Sequence, residues 1–424
     1  MTQEPFNPQY LVALDEIYHS HWAARKRRRI GFLKEAFHHF WPEGHPSRLV
    51  QITGTNGKGT VSHYLQQALR FAGPTGSWTG PHVFDYAERF HINGEIVSHE
   101  EIATIYHQAL RPCQDWFMQK HPGESLSFAE LGILLSLHLF ERHKVEWGIM
   151  EVGAGGRYTP LMALPMQACL LTNIGDDHPQ TLGTESWLRA LEKAGIARKG
   201  VPFFSSAEGK DAYYVRVTAE SEGAEVVEIN EQDLAVIPHE TEAPAFQRRN
   251  RALAVKMIRH FYPEQQPKVL AAEMTGALTG RFGNPETNVI VDVAHNPDKM
   301  ARFIEQLTHR YPNRKFRFLI GLTRNRDASA VFAPILPVAE RIVITGASYA
   351  GRDPGELAAL LKPKFANTHA IDDPQEAYTQ ERALLGPDDL LVLTGSAYML
   401  DQALNPNPYI RHTNASFGRR GSSI

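Results

Sequence analysis

Seven consecutive residues, Gly54, Thr55, Asn56, Gly57, Lys58, Gly59 and Thr60, combine three glycines, two hydroxyl groups and one ammonium group. The run before them, Arg48 to Thr53, is short and apolar, with β-branched Val50, Ile52 and Thr53, and reads as a buried strand. The run after them places Val61, Tyr64, Leu65, Ala68, Leu69 and Ala72 at helical spacing until Gly73-Pro74 stops it. A strand that feeds a glycine-rich turn and then a helix N-terminus presents backbone N–H groups and a positive dipole end to an anion. Lys58 adds a charge that reaches the outer phosphates of a nucleotide, and the Thr60 hydroxyl suits Mg²⁺. The spacing departs from strict G-x-x-x-x-G-K-[ST]. Gly59 stands between Lys58 and Thr60, and Ile52 stands where the first glycine would be.

Other groups gather at strand ends. Glu151 closes the apolar run Val145 to Met150, a place for a carboxylate that holds Mg²⁺ directly or through water, although a lone Glu there is also commonly structural. Gly153-Ala154-Gly155-Gly156-Arg157 follows, either for close approach of a ligand or for a tight turn. Asp176-Asp177-His178 ends the next strand, Ala168 to Thr172; read alone, His178 is an ordinary loop residue. Lys193, read alone, is a surface helix lysine. Further along, Asp292-Val293-Ala294-His295-Asn296-Pro297 suits either hydrogen bonds to a ribose or amino acid or a helix start, with Asn296 as N-cap and Pro297 as N1. Gly395-Ser396-Ala397-Tyr398 is similarly open.

These groups need a scaffold. At roughly 100–200 residues per domain, 424 residues allow about two to four domains. With 42% hydrophobic and 21% charged residues the chain is globular rather than disordered. A net charge of −3 gives no global reason to expect nucleic acid. Two cysteines, Cys113 and Cys169, exclude a disulfide framework or a Cys-rich zinc site and suit a reducing cytoplasm. No apolar run reaches the ~18 residues of a membrane span, and Met1 to Tyr10 lacks the form of a secretory signal. The basic run Lys26 to Arg29 reads as a solvated helix face. A helix is expected from Phe128 to His143, opened by a Ser127/Glu130 capping box and apolar nearly all round. Buried strands alternating with helices predict a parallel α/β sheet. The pattern restarts near Asn288, with strands at Val289–Val291, Phe316–Ile320, Ile342–Thr345 and Leu390–Thr394 and helices around Met300–Leu307, Glu356–Leu361 and Pro374–Leu385. Gly280 to Glu286 reads as a linker, with the boundary near Pro285. The tail after Asn405 is polar and Gly/Ser-rich, so little order is expected there.

Taken together, these segments resemble the folylpolyglutamate synthase/dihydrofolate synthase family of the Mur ligase superfamily. The resemblance rests on Thr53 to Thr60, Pro81-His82, Glu88-Arg89, Ile92-Asn93-Gly94-Glu95, Glu151-Val152-Gly153, Gly155-Gly156-Arg157 and Thr172-Asn173-Ile174-Gly175. It continues through Asp177-His178, Glu192 to Ile196, Gly280-Arg281-Phe282, Ala294 to Pro297 and Thr394-Gly395-Ser396. It implies an N-terminal P-loop-type ATPase domain with a mostly parallel sheet over residues 1–285 and a smaller Rossmann-like α/β domain, binding the amino acid, over residues 286–424. It implies ATP held by Gly54 to Thr60 with Asn250, Arg281 and Asp292, and one or two Mg²⁺ ions ligated by Thr60, Glu151 and His178. Lys58, Lys193 and His295 become the catalytic candidates, with Lys193 carbamylated. Pro81, His82, Phe128, Arg157, His295 and Ser396 become substrate contacts, His295 and Ser396 towards the amino acid. The implied reaction is ADP-forming: a carboxylate attacks ATP to give an acyl phosphate, and an amino acid, glutamate in the family, displaces phosphate. A cytoplasmic monomer acting on small molecules is expected, with neither nucleic acid nor membrane as partner.

Two positions depart from the family pattern. Gly80 stands where a serine usually supplies a metal ligand, so only a carbonyl or water is available there. After Arg157 the family's Leu-Asp-Ala-Thr-Asn, which helps seat the pterin, is replaced by Tyr158-Thr159-Pro160-Leu161. These leave room for a related ligase acting on a non-folate carboxylate, or for a non-catalytic nucleotide-binding homologue. Phe128 suits stacking on a flat ring, although a buried core role is favoured.

Overall fold

The computed structural model describes residues 7–20, 27–176, 182–238, 245–275, 280, 282–324, 326–347 and 351–420. The chain divides into two units: Phe6–Pro81 with Ala87–Gly276, and His82–Tyr86 with Ala277–Ile424. Among the described residues no helix is long and apolar enough to cross a membrane.

The first unit is built on an eight-stranded sheet. Its strands are β1 (Arg48–Thr53), β2 (Thr75–Trp78), β3 (Phe90–Ile92), β4 (Glu95–Ile96), β5 (Trp147–Glu151), β6 (Ala168–Leu171), β7 (Pro202–Ser205) and β8 (Glu225–Glu228), in the order β4-β3-β2-β5-β1-β6-β7-β8. The pairs β2–β3 and β3–β4 are antiparallel and the others parallel. Strand β1 is central, and residues Leu49 to Thr53 are all buried, as a strand covered on both faces must be. Its register sets the level of the strand ends: Ile52 pairs with Glu151 and Thr53 with Leu171. Glu151 and Thr172 therefore flank the residue that enters the glycine-rich turn.

Helices cover both faces. They include α1 (Arg27–Phe40), α2 (Lys58–Ala68), α3 (Phe128–Arg142), α4 (Ser186–Ala194) and α5 (Ala245–Phe261). On one face Val61, Tyr64 and Leu65 of α2 and Leu253 and Met257 of α5 pack with Val50, Ile52 and Ile149. On the other, the Phe140 ring of α3 lies against Gly76 and Gly148, where an added Cβ would stand 2.4 and 2.6 Å from the ring. The expected capping box of α3 is present, with Ser127 and Glu130 each accepting the other's backbone N–H. Both cysteines are free and buried, and burial pushes the Cys113 and Cys169 thiols up to about 12 and about 11, so neither is a ready nucleophile.

Arg29, the last residue of the basic run at the start of α1, corrects an expectation. Arg29 of α1 is 1% exposed and belongs to no solvated face. Its Nε donates to Glu130 Oε1 at 2.9 Å, its Nη2 donates to Glu130 Oε2, and Nη2 also reaches the Ser125 carbonyl at 2.9 Å. Glu130 is the capping-box carboxylate, so one ion pair fixes α1 on the start of α3. A guanidinium that finds a bidentate partner can be buried where a lone charge cannot.

The second unit carries a six-stranded sheet of β9 (Gly283–Glu286), β10 (Val289–Val291), β11 (Phe316–Ile320), β12 (Ala339–Ile344), β13 (Thr368–Ala370) and β14 (Leu391–Thr394), in the order β13-β12-β11-β14-β10-β9. Only β9 is antiparallel to its neighbour. Part of the segment read as a linker is thus an edge strand, which tolerates Pro285 because an edge position need not donate on both sides. Helix α6 (Pro297–Arg310) follows β10, α7 (Ala397–Leu404) follows β14, and α8 (Pro408–Arg420) ends the described chain. The helical tail overturns the expectation of little order. Asn405 and Asn414 both donate to the Phe84 carbonyl, at 2.7 and 3.0 Å, and both reach Asp401 Oδ1. Val83 and Phe84 join Leu391, Leu393, Met399 and Leu400 in one apolar cluster.

Two tests follow from buried charge. Replacing Arg29 by Met leaves Glu130 without its partner and should cost about 3–5 kcal/mol in urea unfolding; an unchanged midpoint would contradict the buried pair. Burial lowers His91 and His138 to about 4, below the ordinary 6.5. The unfolded chain then takes up these protons first. Stability should be complete above 6.5 and fall as pH drops towards about 4. A His138→Phe variant should lose part of that slope, and an identical slope would contradict the assignment.

Candidate active site

The glycine-rich turn is braced from the neighbouring strand. Asn173, two residues past β6, accepts the N–H groups of Thr55 and Asn56 on its Oδ1 at 3.2 and 3.0 Å. Thr172 Oγ1 donates to the Asn56 carbonyl at 2.5 Å, and Thr55 Oγ1 accepts the Gly175 N–H at 2.9 Å. Gly54 has φ +141°, and a Cβ there would stand 1.9 Å from Thr172 Oγ1, so only glycine fits. Gly57 has φ +81° and carries the Asn250 amide 2.8 Å from where its Cβ would be. Gly57 is also the N-cap of α2 and has no side chain to satisfy the first-turn N–H groups of Lys58, Gly59 and Thr60. Such a helix start fits an anion.

Two lysines converge on this turn. Lys58 Nζ donates to the Gly54 carbonyl at 3.0 Å and to the Thr55 carbonyl at 3.3 Å. Lys193, from the last turn of α4, donates to the same Gly54 carbonyl at 3.0 Å. Only 3% exposed, Lys193 is not the surface lysine that its local sequence favours. Glu151 Oε1 lies 4.0 Å from Lys58 Nζ, and its Oε2 accepts the Gly80 N–H at 3.2 Å. The Arg89 Nη1 lies 2.6 Å from where a Cβ on Gly80 would be, so the guanidinium occupies the side-chain space that glycine leaves. Arg89 also stands over the Phe128 ring at 5.0 Å. Phe128 is buried, in keeping with the favoured core role, and its face is covered by that cation.

Two substrate candidates, Arg157 and His82, have other engagements. Arg157 Nη2 pairs with Glu222 at 2.8 Å. Pro81 falls in the first unit and His82 in the second, where the His82 ring meets Tyr86 edge-on at 5.8 Å. His178 and Arg281 lie outside the described residues.

In the second unit Asp292 spends both oxygens on backbone, accepting the Ala294 N–H at 2.8 Å and the Phe282 N–H at 3.0 Å. His295 Nδ1 lies 2.7 Å from the Val293 carbonyl, and Nε2 lies 3.3 Å from Lys299 Nζ. Asn296 caps α6 as expected, through Oδ1 and the Lys299 N–H at 2.8 Å. Ser396 is the N-cap residue of α7 and is 3% exposed. Sequence reading missed Lys299 entirely and gave Asn173 no task. An Asn after a strand has no signal that separates bracing a loop from making a turn.

The donor set suits a nucleotide-borne cation. Among the described residues no three His, Cys, Asp or Glu side chains gather as a metal cage. Mg²⁺ needs less, since it keeps waters and phosphate oxygens and takes one or two carboxylates. Glu151 beside Lys58, and Thr60 in the first turn of α2, fit that requirement.

The chain matches the Mur ligase middle domain over residues 52–194 and the Mur ligase glutamate ligase domain over residues 280–397. It is 25% identical over 399 residues to dihydrofolate synthase/folylpolyglutamate synthase of Bacillus subtilis, covering 84% of this chain and 90% of that protein. The chain belongs to the folylpolyglutamate synthase/dihydrofolate synthase family of Mur ligases. Solved structures share its fold. Mycobacterium tuberculosis folylpolyglutamate synthase with ADP superposes with a TM-score of 0.80 at 20% identity, over 97% of this chain and 99% of that one. The bifunctional synthase of Yersinia pestis with AMPPNP and a manganese ion gives 0.75 at 22% identity, over 98% and 99%. This Mur ligase therefore carries its glycine-rich turn and its Ala294 to Pro297 segment inside the two matched domains.

Gly54→Ala tests the turn. The added methyl meets Thr172, and the backbone is strained at φ +141°. Affinity for a fluorescent ATP analogue should fall by about tenfold or more; unchanged affinity in the folded variant would contradict the role of this glycine.

Proposed function

We propose that this Mur ligase activates a carboxylate substrate with ATP and joins it to the amine of an amino acid, L-glutamate first among candidates. The class, an ADP-forming ligase of acid and amino acid, follows from the family. The observation that carries the proposal is the convergence of Lys58, Lys193 and Glu151 on the turn that opens α2. Pure binding of a nucleotide needs no such cluster of buried charge.

The substrate carboxylate attacks the γ-phosphorus and ADP leaves, giving an acyl phosphate. The amine then attacks the acyl carbon, phosphate leaves, and the amine loses its proton. Lys58 turns from the Gly54 and Thr55 carbonyls towards the transferring phosphoryl group, where a fixed cation stabilises developing charge. Thr60 and Glu151, with His178 as a further candidate, would hold a divalent cation that neutralises the phosphate oxygens. Asn250, Arg281 and Asp292 remain proposed nucleotide contacts, and carbamylation of Lys193 would turn that cation into a carboxylate-like group suited to a second metal ion. A monomer is proposed.

Dihydropteroate or a folate is the first candidate for the acid, since the relatives are named for such products. A second reading, another carboxylate, is favoured by three observations: Arg157 is paired with Glu222, Arg89 covers the Phe128 face, and Gly80 offers no side-chain ligand.

Phosphate release from MgATP with a panel of acids, with and without L-glutamate, tests the function. Turnover with dihydropteroate supports the first reading, and turnover only with another acid supports the second. Absence of turnover across the panel, with ATP still bound, would leave a nucleotide-binding protein and overturn the proposal. Lys58→Ala should lower turnover by about 100-fold or more without unfolding the chain.

A further inference from the structure

The carboxyl end of β2 carries a cation and no side-chain oxygen at residue 80. Trp78 of β2 pairs with Met150 of β5, and Ile52 of β1 pairs with Glu151. Thr79 and Gly80 therefore leave the sheet at the level of Glu151 and of the glycine-rich turn, with Glu151 on the strand between them. Adjacent strands lie about 4.8 Å apart, so the end of β2 stands about 10 Å from the turn, a gap that an arginine side chain and a phosphate group span together.

Three contacts fix Arg89 at this place. Its carbonyl accepts the Thr79 N–H at 3.0 Å, which ties residue 89 to the end of β2. Its Nη1 lies 2.6 Å from where a Cβ on Gly80 would be, so the guanidinium rests on a bare Cα. Its Cζ stands 5.0 Å from the centre of the Phe128 ring, the first residue of α3. The Gly80 N–H donates to Glu151 Oε2 at 3.2 Å, and Glu151 Oε1 lies 4.0 Å from Lys58 Nζ. One carboxylate is thus flanked by the ammonium group of the turn and by the strand end that carries the guanidinium. Arg89 is half-buried, so a bound group can still reach it.

The two cations differ in what they offer. Lys58 is a point charge, whereas a guanidinium presents a planar fork of N–H groups that matches two phosphate oxygens at once. An aromatic ring holds such an ion by its charge and does not satisfy that fork. We propose that Arg89 is a second cation of the phosphoryl-transfer site and contacts the γ-phosphate oxygens across Glu151 from Lys58. Gly80 admits it, since the hollow exists only while residue 80 lacks a side chain. The inference rests on the reading of the turn as an ATP site, and it gives the glycine at position 80 a task.

Calorimetric titration of the full chain with ADP and with AMPPNP, magnesium present, isolates the contact, because only AMPPNP has a γ-phosphate. Arg89→Met should weaken AMPPNP by about tenfold or more and ADP by about twofold at most. Gly80→Ala tests the same contact without touching the arginine. Its methyl meets the far end of a flexible side chain, at a backbone outside the left-handed region, so the variant should fold. The displaced guanidinium should then give the same selective loss, and this variant carries the test if Arg89→Met does not fold. A folded Arg89→Met that keeps its affinity for AMPPNP, or that loses both nucleotides equally as a structural role would require, overturns the inference. So does a Gly80→Ala that binds AMPPNP as the wild type does. A wild type that binds neither nucleotide would instead sink the reading of the turn, and this inference with it.

Discussion

In the unmodified chain two ammonium groups meet on one carbonyl oxygen, that of Gly54. Lys58 arrives from the helix that follows the turn and Lys193 from a helix more than a hundred residues later, each at 3.0 Å. A carbonyl that accepts from two cations must be held rigidly, and the sheet supplies the rigidity. The pairing of β1 with β6 brings Thr172 and Asn173 alongside, and these lock the turn through its N–H groups and carbonyls. The left-handed backbone at Gly54 and Gly57 leaves Thr172 and Asn250 the space to press against it. Substitution anywhere in this set acts through the same constraint.

What the sequence made legible were the features written locally. A β-branched run, a glycine-rich turn and helical spacing within about 25 residues defined β1, the turn and α2 with boundaries close to those observed. The Ser127/Glu130 capping box is likewise local, and it fixed the start of α3. Strands β10, β11, β12 and β14 of the second unit were legible because buried parallel strands are short apolar runs, whereas β13, with two of its three residues exposed, was missed.

What stayed hidden depends on partners distant in the chain. Arg29 looks like one of a run of surface cations until Glu130, a hundred residues on, is seen to receive it. Lys193 is an ordinary helix lysine unless α4 is known to face the turn. The polar tail gave no sign of helix because its order comes from Asn405 and Asn414 meeting a carbonyl more than 300 residues earlier. Gly283–Glu286 has linker composition, and only the adjacent β10 makes it a strand.

The central claim is that the Gly54 to Thr60 turn grips the outer phosphates of ATP. A crystal structure of the full chain with magnesium and a non-hydrolysable ATP analogue tests it most directly. The account predicts the β- and γ-phosphates against the N–H groups of Lys58, Gly59 and Thr60, with Lys58 Nζ drawn off the Gly54 carbonyl onto phosphate oxygen. Nucleotide bound elsewhere, with Lys58 still resting on the Gly54 and Thr55 carbonyls, would contradict it.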